Sequence, residues 1–155
     1  MTRVLFVCMG NICRSPIAEG LARSYIINSE LRDFVEVDSA GTHHYQVGRP
    51  PDSRARWAAA QRGVDISARR ARQIELADFQ RFDLILAMDR QNLAFLHDIC
   101  PEHHRCKLGL FLRYAGGTAQ EEVPDPYDGS TEDFENVTAL IERAARGLLT
   151  ALRGR

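Results

Sequence analysis

The sequence predicts an α/β fold, a small doubly wound sheet of four parallel strands with helices on both faces. Continuous apolar runs at residues 3–8 and 82–88 are typical of parallel strands that are buried on both faces. Helical patterns separate the runs, and strands that alternate with helices favour a parallel sheet. The length of 155 residues fits a single domain, 1–155, that can bury a core.

The first half of the chain predicts two strands and two helices. After the first strand, Pro16 opens a helix over 16–31, because the first helical position needs no N–H. Apolar residues then recur at helical spacing: Ile17, Leu21, Tyr25 and Ile26. Residues 34–41 predict the second strand, and a helix follows from about 53 to 62, with Gly63 as its stop.

The second half predicts two more strands and two more helices. Asp89 follows the third strand and is expected to cap a helix over 90–99. A short strand is expected at 107–111. Ser130, with Asp133 three residues later, predicts the start of the final helix. The buried stripe of that helix consists of Phe134, Val137, Ile141, Ala144, Leu148 and Leu152.

Composition limits the partners and the compartment. The net charge of −1 provides no bulk field for nucleic acid or an anionic membrane. There is no apolar run of membrane-spanning length, and the first apolar run is too short for a signal peptide. Four cysteines without such a signal indicate free thiols in a reducing compartment. We therefore expect a cytoplasmic protein, a monomer or weak dimer, with no nucleic-acid or membrane partner.

Residues 8–15, called here the anion loop, have the chemistry of a phosphate site with a nucleophile. An apolar strand ends at Cys8, and Arg14 precedes the start of a helix. Loop N–H groups and the helix dipole favour an anion there. A cysteine in such a setting is stabilised as the thiolate and can act as a nucleophile. The planar fork of Arg14 suits two phosphate oxygens.

The other residues of the anion loop fit the same interpretation. Gly10 lets the backbone approach a ligand, and Asn11 tolerates a left-handed conformation. Ser15 can donate to the sulfur or cap the helix. Cys8 and Cys13 could instead be two buried apolar thiols or half of a zinc site. Neither alternative explains why Arg, Ser and Pro follow in that order.

Topology and a second loop add further candidates. In a parallel sheet the carboxyl ends of the strands meet at one edge, which gathers Cys8, Ser39 and Asp89. Residues 123–129, called here the acid loop, hold Asp125 between two prolines. Alone, this segment is an ordinary turn. Paired with the anion loop, Asp125 could protonate a leaving oxygen.

The anion loop, together with Asp125-Pro126-Tyr127, resembles the low-molecular-weight protein tyrosine phosphatases. The match spans essentially the whole chain. A Cys-x5-Arg loop occurs in unrelated phosphatases, but its combination with Asp-Pro-Tyr near the C-terminus is highly specific. Further similar segments are Asp38-Ser39-Ala40-Gly41, Val47-Gly48-Arg49, Ala71-Arg72-Gln73 and Met88-Asp89.

The resemblance implies a two-step reaction on phosphotyrosine in proteins, without metal or cofactor. Cys8 would be the nucleophile, Arg14 the phosphate ligand and Asp125 the general acid and base. Ser39 and Asp89 would support the loop. Substrate contacts would come from Met9, Gly10, Asn11, Ile12, Cys13, Ser15, Tyr45 and Tyr127.

Three positions raise separate questions. Asp128 stands where many relatives have a second aromatic residue, and its charge should repel a dianion modestly. Arg69 replaces a histidine that often braces the loop, so the bracing of Asn11 should differ. Cys13 lies close enough to Cys8 for a reversible disulfide that would protect an oxidised nucleophile, and the resemblance supports this role.

Two related activities remain as alternatives. Protein arginine phosphatases resemble this family but tend to have threonine where this chain has Ile12. The isoleucine therefore favours the tyrosine reaction over the arginine reaction. Arsenate reductases use the same loop with two further cysteines, and Cys100 and Cys106 are the candidates. The cluster 100–106 also has the composition of a zinc site, although a surface loop is the simpler interpretation.

Overall fold

The computed structural model describes residues 1–154 and contains one parallel sheet with the strand order β2-β1-β3-β4. The strands are β1 (Thr2–Cys8), β2 (Val35–Gly41), β3 (Leu84–Ala87) and β4 (Leu108–Leu110). The helices are α1 (Arg14–Ile27), α2 (Ser53–Ala60), α3 (Leu76–Arg81), α4 (Arg90–Ile99) and α5 (Thr131–Arg153). Two 3-10 helices, Glu102–Lys107 and Phe111–Tyr114, flank β4.

The side chains of β1 alternate between two hydrophobic layers, as the two-residue period of a strand requires. Val4 and Phe6 pack in the layer formed with α1, α2 and α5, whereas Leu5 and Val7 pack in the layer formed with α3 and α4. All four side chains are fully buried. The predicted doubly wound α/β architecture, with helices on both faces of four parallel strands, is therefore confirmed.

Strand register brings the loops that follow β1, β2 and β3 to one edge of the sheet. Cys8 pairs with Gly41, and Val7 pairs with both Ala40 and Ala87. The chain segments after Cys8, Gly41 and Ala87 thus emerge side by side. This edge is the carboxyl edge at which parallel sheets bind ligands.

The structure corrects the predicted start and end of α1. The helix begins at Arg14, so Pro16 is its third residue rather than its first. A proline is tolerated there because the first four N–H groups of a helix lack intrahelical partners. The helix ends at Ile27 instead of residue 31, because Asn28 and Ser29 turn their side chains onto the carbonyls of Ser24 and Ile26.

The sequence prediction missed α3, which is only six residues long. Its start is a reciprocal capping box between Glu75 and Asp78, an acidic pair instead of the usual Ser or Thr with Glu. The other helix predictions hold closely. Asp89 caps α4 by accepting from Asn92 N at 2.8 Å, and Ser130 caps α5 in a capping box with Asp133.

Within residues 1–154, none of the helices is both long and apolar enough to cross a bilayer.

Phe6 provides a test of the core. Its ring is fully buried and packs edge-on against Phe111, with 4.9 Å between ring centroids. We expect Phe6→Ala to lower the free energy of unfolding by about 3–5 kcal/mol, measured by urea denaturation, because it leaves a cavity. Phe34→Ala is the matched control. Phe34 is 63% exposed, so the same change there should stay within about 0.5 kcal/mol. Equal losses at the two positions would contradict this packing.

Candidate active site

The anion loop is held in a tight turn against the end of β2. Asn11 has a φ of 58°, in the left-handed region that the sequence predicted for it. The carbonyls of Cys8 and Met9 accept from Thr42 N and His43 N at 2.9 and 3.0 Å. Gly41 is required for this approach, because a Cβ there would lie 2.8 Å from the Met9 carbonyl oxygen.

The sulfur of Cys8 lies at the base of the loop among polar hydrogens. Cys8 is 3% exposed. Its Sγ lies 2.9 Å from Ser15 Oγ and accepts from Asn11 N at 3.3 Å. Of the two roles predicted for Ser15, contact with the sulfur is the one observed, since Cys13 is the N-cap residue of α1. Both contacts lie where they can stabilise negative charge on the sulfur.

Asn11 fixes the loop through all the polar atoms of its side chain. Its Nδ2 donates to Ser15 Oγ at 2.8 Å and to Ser39 Oγ at 2.9 Å, while its Oδ1 accepts from Arg72 N at 2.9 Å. Asn11 is 1% exposed, so these bonds are made away from water. The side chains of Asn11 and Ser15 support the cavity from behind and do not line it.

Two further residues hold Ser39, and the sequence analysis assigned no role to one of them. Ser39 Oγ donates to Glu19 Oε1 at 2.6 Å. Arg69 Nη2 donates to the Ser39 carbonyl at 2.5 Å, and Arg69 Nε lies 2.8 Å from Glu19 Oε1. Arg69 thus acts on Asn11 through Ser39, to which both side chains are hydrogen-bonded. Glu19 could not be identified from the sequence because it occupies an ordinary helical position.

Arg14 is buried and oriented by two acceptors. Its Nη1 donates to Asp89 Oδ2 at 2.7 Å and to the Val123 carbonyl at 2.8 Å. Burial alone would lower the pKa of Arg14, but the neighbouring Cys8 and Asp89 outweigh it, so the pKa lies above its ordinary value. Arg14 therefore remains a cation whose guanidinium group has a fixed orientation, and its other nitrogens stay available to a ligand.

The acid loop brings Asp125 to the mouth of the same site. Asp125 Oδ2 lies 3.8 Å from Arg14 Nη2, and the Asp125 side chain is 44% exposed. Its Oδ1 accepts from Tyr127 N at 3.1 Å within the loop itself. At the other end of the loop, Val123 N donates to the Met88 carbonyl at 2.8 Å, which attaches it to the end of β3.

A cavity of about 150 Å³ lies over the loop. Cys8, Arg14 and Asp125 line it, and Tyr45 and Tyr127 form walls. Met9, Gly10, Ile12 and Cys13 also line it, whereas Asn11 and Ser15, which were predicted to contact substrate, do not. Gln46 also lines the cavity and was missed, because a glutamine in a loop has no distinctive pattern. Its Oε1 is buried without a hydrogen-bond partner among residues 1–154.

Cys13 differs from Cys8 in its surroundings. It is 5% exposed. Burial, followed by the charges of Cys8, Asp52 and Asp125, raises the pKa of Cys13 far above its ordinary value. Cys13 is thus a protonated thiol at neutral pH. Asp128 lies exposed beside Tyr127, outside the cavity lining.

The two cysteines considered for arsenate reduction lie at the opposite edge of the sheet. Cys100 ends α4 and Cys106 precedes β4. Strand register aligns Leu108, the first residue of β4, with Leu5, about three residues or roughly 10 Å behind Cys8 along the strand direction. Cys100 and Cys106 precede β4 and therefore lie toward the amino ends of the strands, away from the edge that carries Cys8. No metal-like group of three His, Cys, Asp or Glu side chains occurs within residues 1–154, including the 100–106 cluster.

Comparisons with known proteins agree with this geometry. The family model for low molecular weight phosphotyrosine protein phosphatases matches residues 3–155. The human low molecular weight phosphotyrosine protein phosphatase is 40% identical over 147 residues, covering 94% of this chain and 92% of the human one. A protein tyrosine phosphatase structure from Entamoeba histolytica superposes with a TM-score of 0.95 at 38% identity, covering 99% and 98% of the two chains. Vibrio vulnificus Wzb, solved in complex with benzylphosphonate, superposes with a TM-score of 0.84 at 31% identity, covering 97% and 98%. The chain belongs to the low molecular weight phosphotyrosine protein phosphatase family.

Proposed function

We propose that this phosphatase hydrolyses phosphotyrosine in protein substrates through a phosphocysteine intermediate on Cys8. One observation carries the proposal. The Cys8 sulfur, the Arg14 guanidinium and the Asp125 carboxyl group line one cavity of about 150 Å³. A nucleophile, a fixed cation and a proton donor at one small cavity are what metal-free phosphoryl transfer requires.

In the first step, the Cys8 thiolate attacks phosphorus and an S–P bond forms as the bond to the tyrosine oxygen breaks. Asp125 gives its proton to that oxygen, so tyrosine leaves as a neutral phenol. Arg14 and the loop N–H groups bind the equatorial phosphate oxygens. Asp89 and the Val123 carbonyl hold Arg14 in position, so little reorganisation is needed as charge shifts.

In the second step, water attacks the phosphocysteine. Asp125, now a carboxylate, takes a proton from the water, the S–P bond breaks and phosphate leaves. The sulfur departs as a thiolate. The contact with Ser15 Oγ at 2.9 Å and the Asn11 N–H stabilise that charge and make Cys8 a better leaving group.

The cavity walls support an aromatic phosphate ester as substrate. Tyr45 and Tyr127 stand on the rim, 70% and 46% exposed, and can pack against a flat ring. The sulfur lies at the buried base of the cavity, so a long phosphotyrosine reaches it more easily than a short phosphoserine. Wzb, which superposes on this fold, was solved in complex with benzylphosphonate, a phosphonate that carries a phenyl ring.

Ile12 distinguishes the tyrosine reaction from phosphoarginine hydrolysis. Its apolar side chain lines the cavity and offers no polar group to orient water or bind a guanidinium. An apolar wall fits the phenyl ring of phosphotyrosine better than the polar guanidino group of phosphoarginine.

Substitutions test the proposed roles of Cys8 as nucleophile and Asp125 as general acid and base. With p-nitrophenyl phosphate at pH 5–8 and no added metal, we expect Cys8→Ser to lose more than about a thousandfold in kcat, because the nucleophile is gone. With phenyl phosphate, whose leaving oxygen needs a proton, Asp125→Ala should lose about a hundredfold or more, since general acid–base catalysis contributes that much. Cys106→Ser, an exposed thiol far from the site, is the control and should match wild type. An inactive, folded and reduced wild type would contradict the proposed function.

Phosphopeptides test whether the enzyme prefers phosphotyrosine to phosphoarginine. We expect kcat/KM for phosphotyrosine peptides to exceed that for matched phosphoarginine peptides by at least about tenfold, from the fit of the ring to the cavity. Ile12→Thr should narrow this ratio, because it adds a polar group to the wall. Phosphate release from both peptide sets gives the ratio, and a preference for phosphoarginine in wild type would favour the alternative activity.

We also propose that Cys13 protects Cys8 from oxidation. Peroxide oxidises Cys8 to the sulfenic acid, and the Cys13 thiol then condenses with it to form a disulfide and release water. We expect wild type that hydrogen peroxide has inactivated to regain its phosphatase activity with thiol reductant, whereas Cys13→Ser should regain much less activity. Cys100→Ser, a buried thiol at the other edge of the sheet, is the control. Equal recovery of wild type and Cys13→Ser would show that Cys13 only packs.

A further inference from the structure

The beginning of α2 connects the two loops of the active site. Asp52, the N-cap residue of α2, donates its backbone N–H to the Ile12 carbonyl of the anion loop at 2.8 Å. Two residues later, Arg54 extends toward the acid loop. Asp52 and Arg54, called here the bracket, therefore contact both loops from one short stretch of chain.

Arg54 is clamped by Asp52 in a bidentate pair. Its Nε and Nη2 donate to the two carboxylate oxygens at 3.0 and 2.9 Å, and its backbone N–H donates to Asp52 Oδ1 at 2.9 Å. Hydrogen bonding to Arg54 lowers the pKa of Asp52 below its ordinary value, so both members stay charged at neutral pH. A bidentate pair gives the guanidinium plane one fixed orientation.

The outer nitrogens of Arg54 bind the acid loop. Nη2 donates to the Tyr127 carbonyl at 2.8 Å and Nη1 donates to the Gly129 carbonyl at 2.9 Å. The guanidinium also lies over two rings, 4.5 Å from the centroid of Phe134 and 5.7 Å from that of Tyr127. Phe134 is fully buried in α5, so Arg54 is fixed from three sides.

Asp125 itself has few contacts that could set its position. It is 44% exposed, lies 3.8 Å from Arg14 and otherwise accepts one hydrogen bond from within its own loop. The prolines on either side restrict its backbone but do not attach the loop to the sheet. The hydrogen bonds that join this half of the acid loop to α2 are those of Arg54.

We propose that Arg54 is a positioning residue for Asp125, holding the acid loop at the distance from the anion loop that proton transfer to the leaving oxygen requires. The proposal rests on the proposed function. Its consequence is specific, because a displaced acid slows reactions whose leaving group needs a proton and hardly affects those whose leaving group does not.

The experiment compares two leaving groups in Arg54→Met. We expect kcat/KM to fall about 10- to 100-fold for phenyl phosphate, which needs the acid, and by less than about threefold for p-nitrophenyl phosphate. The ratio of kcat/KM for phenyl phosphate to kcat/KM for p-nitrophenyl phosphate does not depend on the amount of folded enzyme, because an unfolded fraction lowers both values equally. Arg62→Met is the matched control. Arg62 forms a two-point pair with Glu135 away from both loops, and its ratio should equal that of wild type.

A double variant makes the test decisive. In an Asp125→Ala background the acid is already absent, so adding Arg54→Met should leave the ratio unchanged within about twofold. An unchanged ratio in the single variant, or a further fall of the ratio in the Asp125→Ala background, overturns the proposal. Either result leaves the proposed function intact, because that function fails only if wild type does not hydrolyse the esters.

Discussion

The site depends on the left-handed backbone of Asn11 and on the three hydrogen bonds that its side chain makes. The conformation is unfavourable for most residues, and here the carboxamide stabilises it by joining Ser15, Ser39 and the backbone of Arg72. Leaving one such buried group without a partner costs about 1–3 kcal/mol. The turn therefore has one well-defined shape, in which the Asn11 N–H points at the sulfur.

Charge in the site is arranged in two layers. The inner layer is Cys8 with Arg14, and the outer layer consists of carboxylates and arginines that hold the inner residues. Asp89 shows how one residue serves both fold and site. One of its carboxylate oxygens caps α4 and the other accepts from Arg14. The orientation of Arg14 is thus coupled to the start of a helix, and a buried cation avoids the cost of having no partner.

The two halves of the site differ in burial and in how they are attached to the sheet. The anion loop is buried and attached to the ends of β1 and β2, so its geometry follows from the sheet. The acid loop lies on the surface and is attached at a few points, by Val123 at one end and by Arg54 at the other. The first arrangement suits the role proposed for Cys8, a nucleophile that must be stabilised as an anion. The second suits the role proposed for Asp125, an acid at a mouth that must also admit substrate and water.

The sequence by itself determined the order of strands and helices apart from the short α3, the caps at Asp89 and Ser130, and the identity of Cys8, Arg14 and Asp125 as candidates. These features are local: hydrophobic periodicity, capping chemistry and the spacing of a short loop are all visible along the chain. It also predicted that the loops after β1, β2 and β3 would meet at one edge, because parallel topology requires it.

Only the tertiary structure decided which distant groups complete the site. Glu19 on Ser39, Arg54 on the acid loop and Gln46 in the cavity are ordinary residues in sequence, since contacts such as those of Glu19 and Arg54 span about 20 to 75 positions. The placement of Cys100 and Cys106 has the same origin, because both precede β4, whose start the strand register places behind Cys8.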